Sequence, residues 1–340
     1  MAILREGQGK PIGYRPIGVV GAGAWGTALA LVAARAGRNV TLWAREPEVL
    51  DSIRQSRQNV RFLPGVELPS NIAVTADLAD TAKADALLIV VPAQHLRAML
   101  KALKPHLVAG TPLVLCAKGI ERESGKLLTE VLSEEISEAE PAILSGPSFA
   151  RDVAAGLPTA VTVAATPLIA GRLQMALAQG AFRPYASDDV TGVALGGASK
   201  NVYAIGSGIV AGLNLGESAR AAFLARAFAE LCRLGEAMGA KRETLMGLSG
   251  LGDLVLTATS EGSRNYAFGL ALGQNQSRET LFASDRPLAE GVETAPALIA
   301  RAKAHKIELP IAQTITAILD GSLGVTEALP RLMARPLTSE

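Results

Sequence analysis

The chain has 340 residues, 49% of them hydrophobic and 19% charged, with a formal net charge of +1. That composition supports a large buried core and excludes a disordered chain, and the balanced charge points away from nucleic acid and from an anionic membrane surface. Cys116 and Cys232 lie far apart with no CxxC pair, which excludes a disulfide scaffold and fits a reducing compartment. The length suggests two domains.

The N-terminal stretch "MAILREGQGKPIGYRP" is polar and broken by Gly and Pro, so residues 1–15 read as a flexible extension and not as a secretion signal. "PIGVV" (16–20) reads as a buried strand, and "GAGAWG" (21–26) follows at once. Ala28, Leu29, Val32, Ala33 and Ala36 then mark one helical face, with Gly37 placed as a C-terminal cap. "NVTLWAR" (39–45) is a second strand, which completes a βαβ unit. Further short apolar strands are expected at 86–91, 112–117, 142–145 and 159–165, with helices between several of them. Such alternation predicts a parallel sheet with helices on both faces.

After residue 187 the strand pattern stops. Phe223, Ala227, Leu231, Leu234 and Met238 form one stripe of a long helix, and 287–304 and 310–320 are helical too. The fold class is therefore α/β, a doubly wound sheet over 16–190 followed by an all-helical domain over 191–340. The run from Val190 to Gly216 is apolar but carries seven glycines plus Lys200 and Asn201, and so does not read as a membrane span.

"GAGAWG" matches GxGxxG through Gly21, Gly23 and Gly26, closing a strand and opening a helix as a dinucleotide-binding turn requires. The glycines serve the tight turn, the approach of a pyrophosphate and close helix–strand packing, and the helix N-terminus faces the phosphates. Arg45 stands at the tip of the second strand, where an NAD-selective site usually has Asp or Glu. An arginine there favours the 2′-phosphate of NADPH, and Glu46 beside it dilutes the preference over NADH. The alternative for Arg45 is a solvated loop arginine.

Lys118 follows an apolar strand, where open α/β sheets line their ligand crevice, and "LSGPSFA" (144–150) puts Gly146 and Ser148 in a tight turn after another strand. Lys200 is the one charged residue between Val190 and Gly216, among small neighbours including Gly206 and Gly208 that allow a helix to pack closely. A lysine ordinarily holds its proton to about pH 10.4, and desolvation or a nearby cation such as Lys118 would ease its release. Such an ammonium can stabilise a developing alkoxide and donate the proton as hydride arrives. Asp253 either orients that ammonium or bonds a substrate hydroxyl, and Asn201 is either a substrate or an orientation contact. Ser263, Arg264 and Asn265 open a helix with an N-cap serine and a forked cation, a set able to hold a phosphate monoester. Thr257, on the helical face of Asp253, reads as packing, and His95, His106 and His305 are scattered, with no metal pattern.

In combination "GAGAWGTALA", "NVRFLPG", "CAKGIE", "SGPSFA", "GGASKNVYAIGSGIVAGL", "GLGDLVLTATS", "SRN" and "LAEGVETA" resemble one family over residues 16–325, the bacterial-type glycerol-3-phosphate dehydrogenases that use NAD(P). The resemblance implies reversible reduction of dihydroxyacetone phosphate to sn-glycerol 3-phosphate for glycerophospholipid synthesis in the cytoplasm. It also implies a helical domain like that of 6-phosphogluconate dehydrogenase. Matched by position, Lys200 is the proton-transfer residue, with Lys118 and Asp253 beside it in the catalytic set. Lys118, Gly146, Ser148, Lys200, Asn201, Asp253, Ser263, Arg264 and Asn265 meet the phosphorylated triose. Gly21, Gly23, Ala24, Trp25, Gly26, Arg45, Phe62, Lys118, Ala150, Arg264, Leu288 and Glu290 meet NADPH or NADH. No metal is implied, and a homodimer is left open. The chain departs from the family at "GASKN" for the commoner "GALKN", at Ala24 for a frequent serine and at Phe62 for a common tyrosine. The other readings are a hydroxyacid dehydrogenase of the same plan acting on a carboxylate substrate, which the "SRN" set disfavours, and a non-catalytic NADP sensor, which would need no buried lysine.

Overall fold

The computed structural model describes residues 13–282 and 289–334, which form two compact units. The first takes the described residues through Lys118 and Leu128–Ala194, and the second takes Gly119–Leu127 and the described residues from Leu195 on. The units therefore part at 194/195, not at 190/191, and Lys118 and Gly119 fall on opposite sides of a division. Ile120 and Leu127 pair as a short antiparallel bridge with both side chains buried, and Arg301 Nη1 donates to the Gly125 carbonyl at 3.3 Å. These contacts tie the excursion to the helical unit.

Among the described residues, ten strands lie in the first unit: β1 (Pro16–Val20), β2 (Asn39–Trp43), β3 (Gln58–Asn59), β4 (Leu63–Glu67), β5 (Ile72–Thr75), β6 (Ala86–Ile89), β7 (Leu113–Leu115), β8 (Pro141–Ser145), β9 (Thr159–Ala164) and β10 (Phe182–Ser187). Eight of them form one sheet in the order β10-β9-β8-β7-β6-β1-β2-β5, and β3 and β4 form a small antiparallel pair. The sheet is parallel from β5 to β8, but β9 runs antiparallel to β8. The parallel sheet expected from the sequence is thus interrupted at one pairing, β8–β9. The β8–β9 connection holds only the short helix Ala150–Ala154, and an antiparallel neighbour needs no crossover back to the starting edge.

The core is β-branched and leucine-rich on the strands, with Ile17, Val19, Leu42, Ile72, Leu88, Val114 and Leu144 buried. The helices Ala24–Arg35, Ala150–Ala154 and Pro167–Leu177 pack on one another, as do Leu78–Thr81, Leu96–Leu103 and Leu128–Glu135, the two groups that a doubly wound sheet requires. Gly37, at φ +78°, closes the first helix by donating to the Ala34 carbonyl. The end of the expected extension already belongs to this unit. Tyr14 is buried under the Arg172 guanidinium, 4.1 Å above its ring, and the Arg15 N–H donates to Asp85.

The regular elements among the second unit's described residues are helices joined by turns and loops, apart from the Ile120–Leu127 bridge. Helix Val190–Gly212 and helix Arg264–Gly273 meet backbone to backbone. A Cβ on Gly208 would stand 2.1 Å from the Tyr266 carbonyl, and one on Gly269 would stand 1.9 Å from that of Ile205. Gly206 likewise leaves room for Phe223 and Ile315. Each glycine costs a helix about 1 kcal/mol relative to Ala, and the close approach it permits is what brings the polar residues of the two helices together.

Candidate active site

In the first unit the expected ligand residues gather at the carboxyl ends of parallel strands. The chain leaves β1 and reaches β2 on one side, while β6 pairs on the other, so the glycine turn sits at the topological switch point. Its three glycines have different tasks. Gly21 adopts φ +116° with the Val90 carbonyl 2.7 Å from where a Cβ would be, and a Cβ on Gly26 would stand 1.8 Å from the Gly21 carbonyl. Both are required by the fold. Gly23 has φ −66° and ψ 179°, open to any residue, and nothing lies within 4 Å of its missing Cβ. No packing constraint explains a glycine there. Helix Ala24–Arg35 begins at this open space with no side-chain cap for its first N–H groups. The buried Trp25 indole N–H, in the same turn, also has no partner among the described residues. These features fit a dinucleotide.

Arg45 lies just beyond β2, exposed, with Nη2 donating to Glu46 Oε1 at 2.9 Å. Such a surface pair contributes little and can be exchanged for a phosphate. Phe62 is half-buried against the core with the Arg61 guanidinium over its ring, and Ala150 opens a short helix. At the end of β7, Lys118 donates from Nζ to the Gly146 carbonyl at 3.0 Å, and the Ser148 hydroxyl donates to the same oxygen at 3.0 Å. Gly146 is strained for any other residue, at φ +148° with Val161 Cα 2.8 Å from a Cβ position. Lys118, Gly146 and Ser148 are thus one polar cluster.

In the second unit Lys200 is 7% exposed and Asp253 is fully buried. Lys200 Nζ donates to Asp253 Oδ1 at 2.5 Å and to Thr257 Oγ1 at 2.8 Å. Asp253 opens helix Asp253–Ala258 after a π-helical turn over Leu248–Gly252, and Thr257 follows one helical turn later on the same face. The charge beside the ammonium is a carboxylate, which stabilises it against the desolvation of its small apolar neighbours. Of the two roles open for Asp253, the geometry supports orienting the lysine. Thr257 is not mere packing, since its hydroxyl accepts from the lysine. Its place four residues after Asp253 was the available signal.

Asn201 and Asn265, both buried, bond to each other, Asn265 Nδ2 to Asn201 Oδ1 at 3.0 Å. Asn265 Oδ1 accepts from the Gly291 N–H at 2.9 Å, which ties helix Arg264–Gly273 to the first turn of helix Glu290–Ala304. Ser263 is the N-cap, its hydroxyl accepting from the Tyr266 N–H at 3.3 Å. Arg264 is exposed beside it, and Glu290 is half-buried. Leu288 lies outside the described residues. Among the described residues no cluster of His, Cys, Asp or Glu could hold a metal ion, and no helix is long and apolar enough to cross a membrane.

Glu121, Asp189 and Glu230 are buried carboxyl residues outside the predicted site set, and Glu230 is the most deeply buried of the three. Glu230, 2% exposed, accepts from the Ile311 and Ala312 N–H groups at 2.6 and 3.2 Å and from the Tyr203 hydroxyl at 3.3 Å. Burial pushes its carboxyl up to about 7. It falls between Ala227 and Leu234 of the apolar stripe, and a carboxylate in such a stripe was the signal.

The sequence profile of the NAD-dependent glycerol-3-phosphate dehydrogenase N-terminus matches residues 16–169, and that of the C-terminus matches residues 189–330. The chain belongs to this family. It is 57% identical over 328 residues to a glycerol-3-phosphate dehydrogenase [NAD(P)+] of a Bradyrhizobium strain, covering 96% of this chain and 98% of the relative. It is 53% identical over 330 residues to one of Parvibaculum lavamentivorans, covering 97% and 99%. A crystal structure of glycerol-3-phosphate dehydrogenase from Coxiella burnetii is similar at a TM-score of 0.89 and 39% identity, over 94% of this chain and 99% of that one. The Rossmann-like sheet followed by a helical domain is the fold of this family.

Proposed function

We propose that the protein reversibly reduces dihydroxyacetone phosphate to sn-glycerol 3-phosphate, with Lys200 as the proton donor and acceptor, and that it feeds glycerophospholipid synthesis in the cytoplasm. The observation that carries the reading is the buried Lys200–Asp253–Thr257 cluster. A bound NAD(P)H supplies the hydride. The substrate C2 oxygen gains negative charge as reduction proceeds. The Lys200 ammonium, held by Asp253 and Thr257, stabilises that charge and passes its proton to the oxygen, and in the reverse direction it takes the hydroxyl proton back. Ser263, Arg264 and Asn265 anchor the phosphate. The exposed arginine supplies a fork, the cap serine keeps its hydroxyl proton to donate, and the Asn201–Asn265–Gly291 bonds hold the asparagine in place.

On the first unit, Gly21, Gly23, Ala24, Trp25 and Gly26 would hold the pyrophosphate side of the cofactor, with Arg45 taking the 2′-phosphate of NADPH. Phe62, Ala150, Glu290 and Leu288 complete the proposed cofactor set. Lys118, Gly146 and Ser148 are assigned to substrate contact. Steady-state reduction assays with dihydroxyacetone phosphate and with 2- and 3-keto acids test the substrate class. Turnover of the phosphorylated ketone is expected, and activity on the keto acids alone would overturn the proposal.

A further inference from the structure

Asn59 belongs to the "NVRFLPG" motif, yet no ligand role falls to it. It is fully buried on β3. Its Nδ2 donates to the Ala22 carbonyl at 2.8 Å and to Thr27 Oγ1 at 2.9 Å, while its Oδ1 accepts from the Phe62 N–H at 3.2 Å. The Thr27 hydroxyl donates to the same Ala22 carbonyl at 3.4 Å. A backbone carbonyl can only accept and a backbone N–H can only donate, so these partners fix the orientation of the Asn59 amide. Ala22 is the residue between the first two glycines of the phosphate turn.

We propose that Asn59 is a positioning residue that aims the Gly23 N–H at the cofactor pyrophosphate. The inference rests on the reading of Gly21–Gly26 as the phosphate turn. In a planar trans peptide the carbonyl of one residue and the N–H of the next point in opposite directions. Asn59 and Thr27 hold the Ala22 carbonyl inward, so the Gly23 N–H points outward, at the residue whose Cβ position opens on empty space. A glycine-flanked peptide is otherwise free to rotate, and fixing it in advance removes that entropic cost from binding. The Phe62 N–H bond carries the same register along the β3–β4 hairpin, which accounts for the presence of two sequence-distant motifs in one chain.

The test is Asn59→Leu, of similar volume and without the amide, with Thr27→Val as the milder variant. NADPH and ADP-ribose affinities are measured by titration, alongside kcat and the KM for dihydroxyacetone phosphate at saturating cofactor. Asn59→Leu is expected to weaken both ligands about tenfold, the scale of one net hydrogen bond. Thr27→Val should weaken them in the same direction by less, while kcat and the substrate KM stay near the parent values. Should Asn59→Leu fail to fold, Thr27→Val decides on the same readouts. Unchanged cofactor affinity in the folded variant, or a loss of cofactor affinity matched by a rise in substrate KM and a loss of thermal stability, would overturn the proposal. Gly23→Val separates the two layers of the argument. If it too leaves NADPH binding intact, the phosphate-turn reading fails. If it abolishes binding while Asn59→Leu does not, only the role of Asn59 fails.

Discussion

Replacing Gly23 with valine should leave the fold intact and remove the cofactor. The backbone at Gly23 is at φ −66° and ψ 179°, with nothing within 4 Å of the Cβ position, so the side chain enters without strain or clash. Loss of a glycine stiffens the unfolded chain by about 0.4–1 kcal/mol in favour of folding. Valine is a poorer N-cap than glycine by an amount of the same order. The two nearly cancel, and Tm should move by no more than about 2–4 °C, the shift that 1 kcal/mol produces in a domain of this size. The valine methyls would occupy the space the phosphates need, and a loss of about a hundredfold in NADPH affinity, near 2.7 kcal/mol, is expected. Gly26→Val is the contrast, because its Cβ would meet the Gly21 carbonyl at 1.8 Å and should cost about 1–3 kcal/mol of stability or more. Thermal melts and NADPH fluorescence titrations on both variants read the two effects separately. Parent-like NADPH affinity in Gly23→Val, or a collapse of its Tm, would refute the reasoning.

Arg45→Ala should weaken NADPH much more than NADH, since the guanidinium exchanges an exposed Glu46 partner for the 2′-phosphate; equal effects in paired KM measurements would count against that role. Thr257→Val removes the hydroxyl that accepts from Lys200 and should lower kcat about tenfold with little change in NADPH affinity, and an unchanged kcat would return Thr257 to packing. Glu230 makes stability depend on pH. Burial pushes its carboxyl from the ordinary 4.5 up to about 7, so the folded state keeps its proton where the unfolded state has lost it. Stability should therefore fall as pH rises from 4.5 to about 7, by about 3 kcal/mol in all at 1.36 kcal/mol per pH unit. Melts of the parent and Glu230→Gln across this range should diverge, and parallel curves would contradict the account.

The readable parts of the sequence were those where one physical demand dominated. β1 stands where "PIGVV" predicts it, and Ser263 caps its helix, because an apolar run and a cap residue are local signals. Lys200 stood out because nothing else within a long small-residue run is charged. β5 and β10 escaped because they are the two edges of the sheet. Their outer residues are half-exposed, and Pro184 interrupts β10 at a position only an edge strand tolerates. The reversal at β9 depends on sheet order, which no local pattern encodes. Thr257, Glu230 and Asn59 share another cause. Each is a polar residue whose partner lies tens of residues away or whose role depends on burial, so the residue type alone reads as filler.

In the proposed reaction Lys200 moves the proton. Lys200→Met keeps the length and apolar stem of the side chain and removes the ammonium that faces Asp253. The decisive measurement is kcat for dihydroxyacetone phosphate reduction by this variant, with NADPH affinity and the far-UV spectrum recorded on the same sample. The expected result is a folded protein that binds NADPH like the parent and turns over about 10²–10⁴-fold more slowly, the range for loss of a positioned acid. A folded variant with near-parent kcat would contradict it.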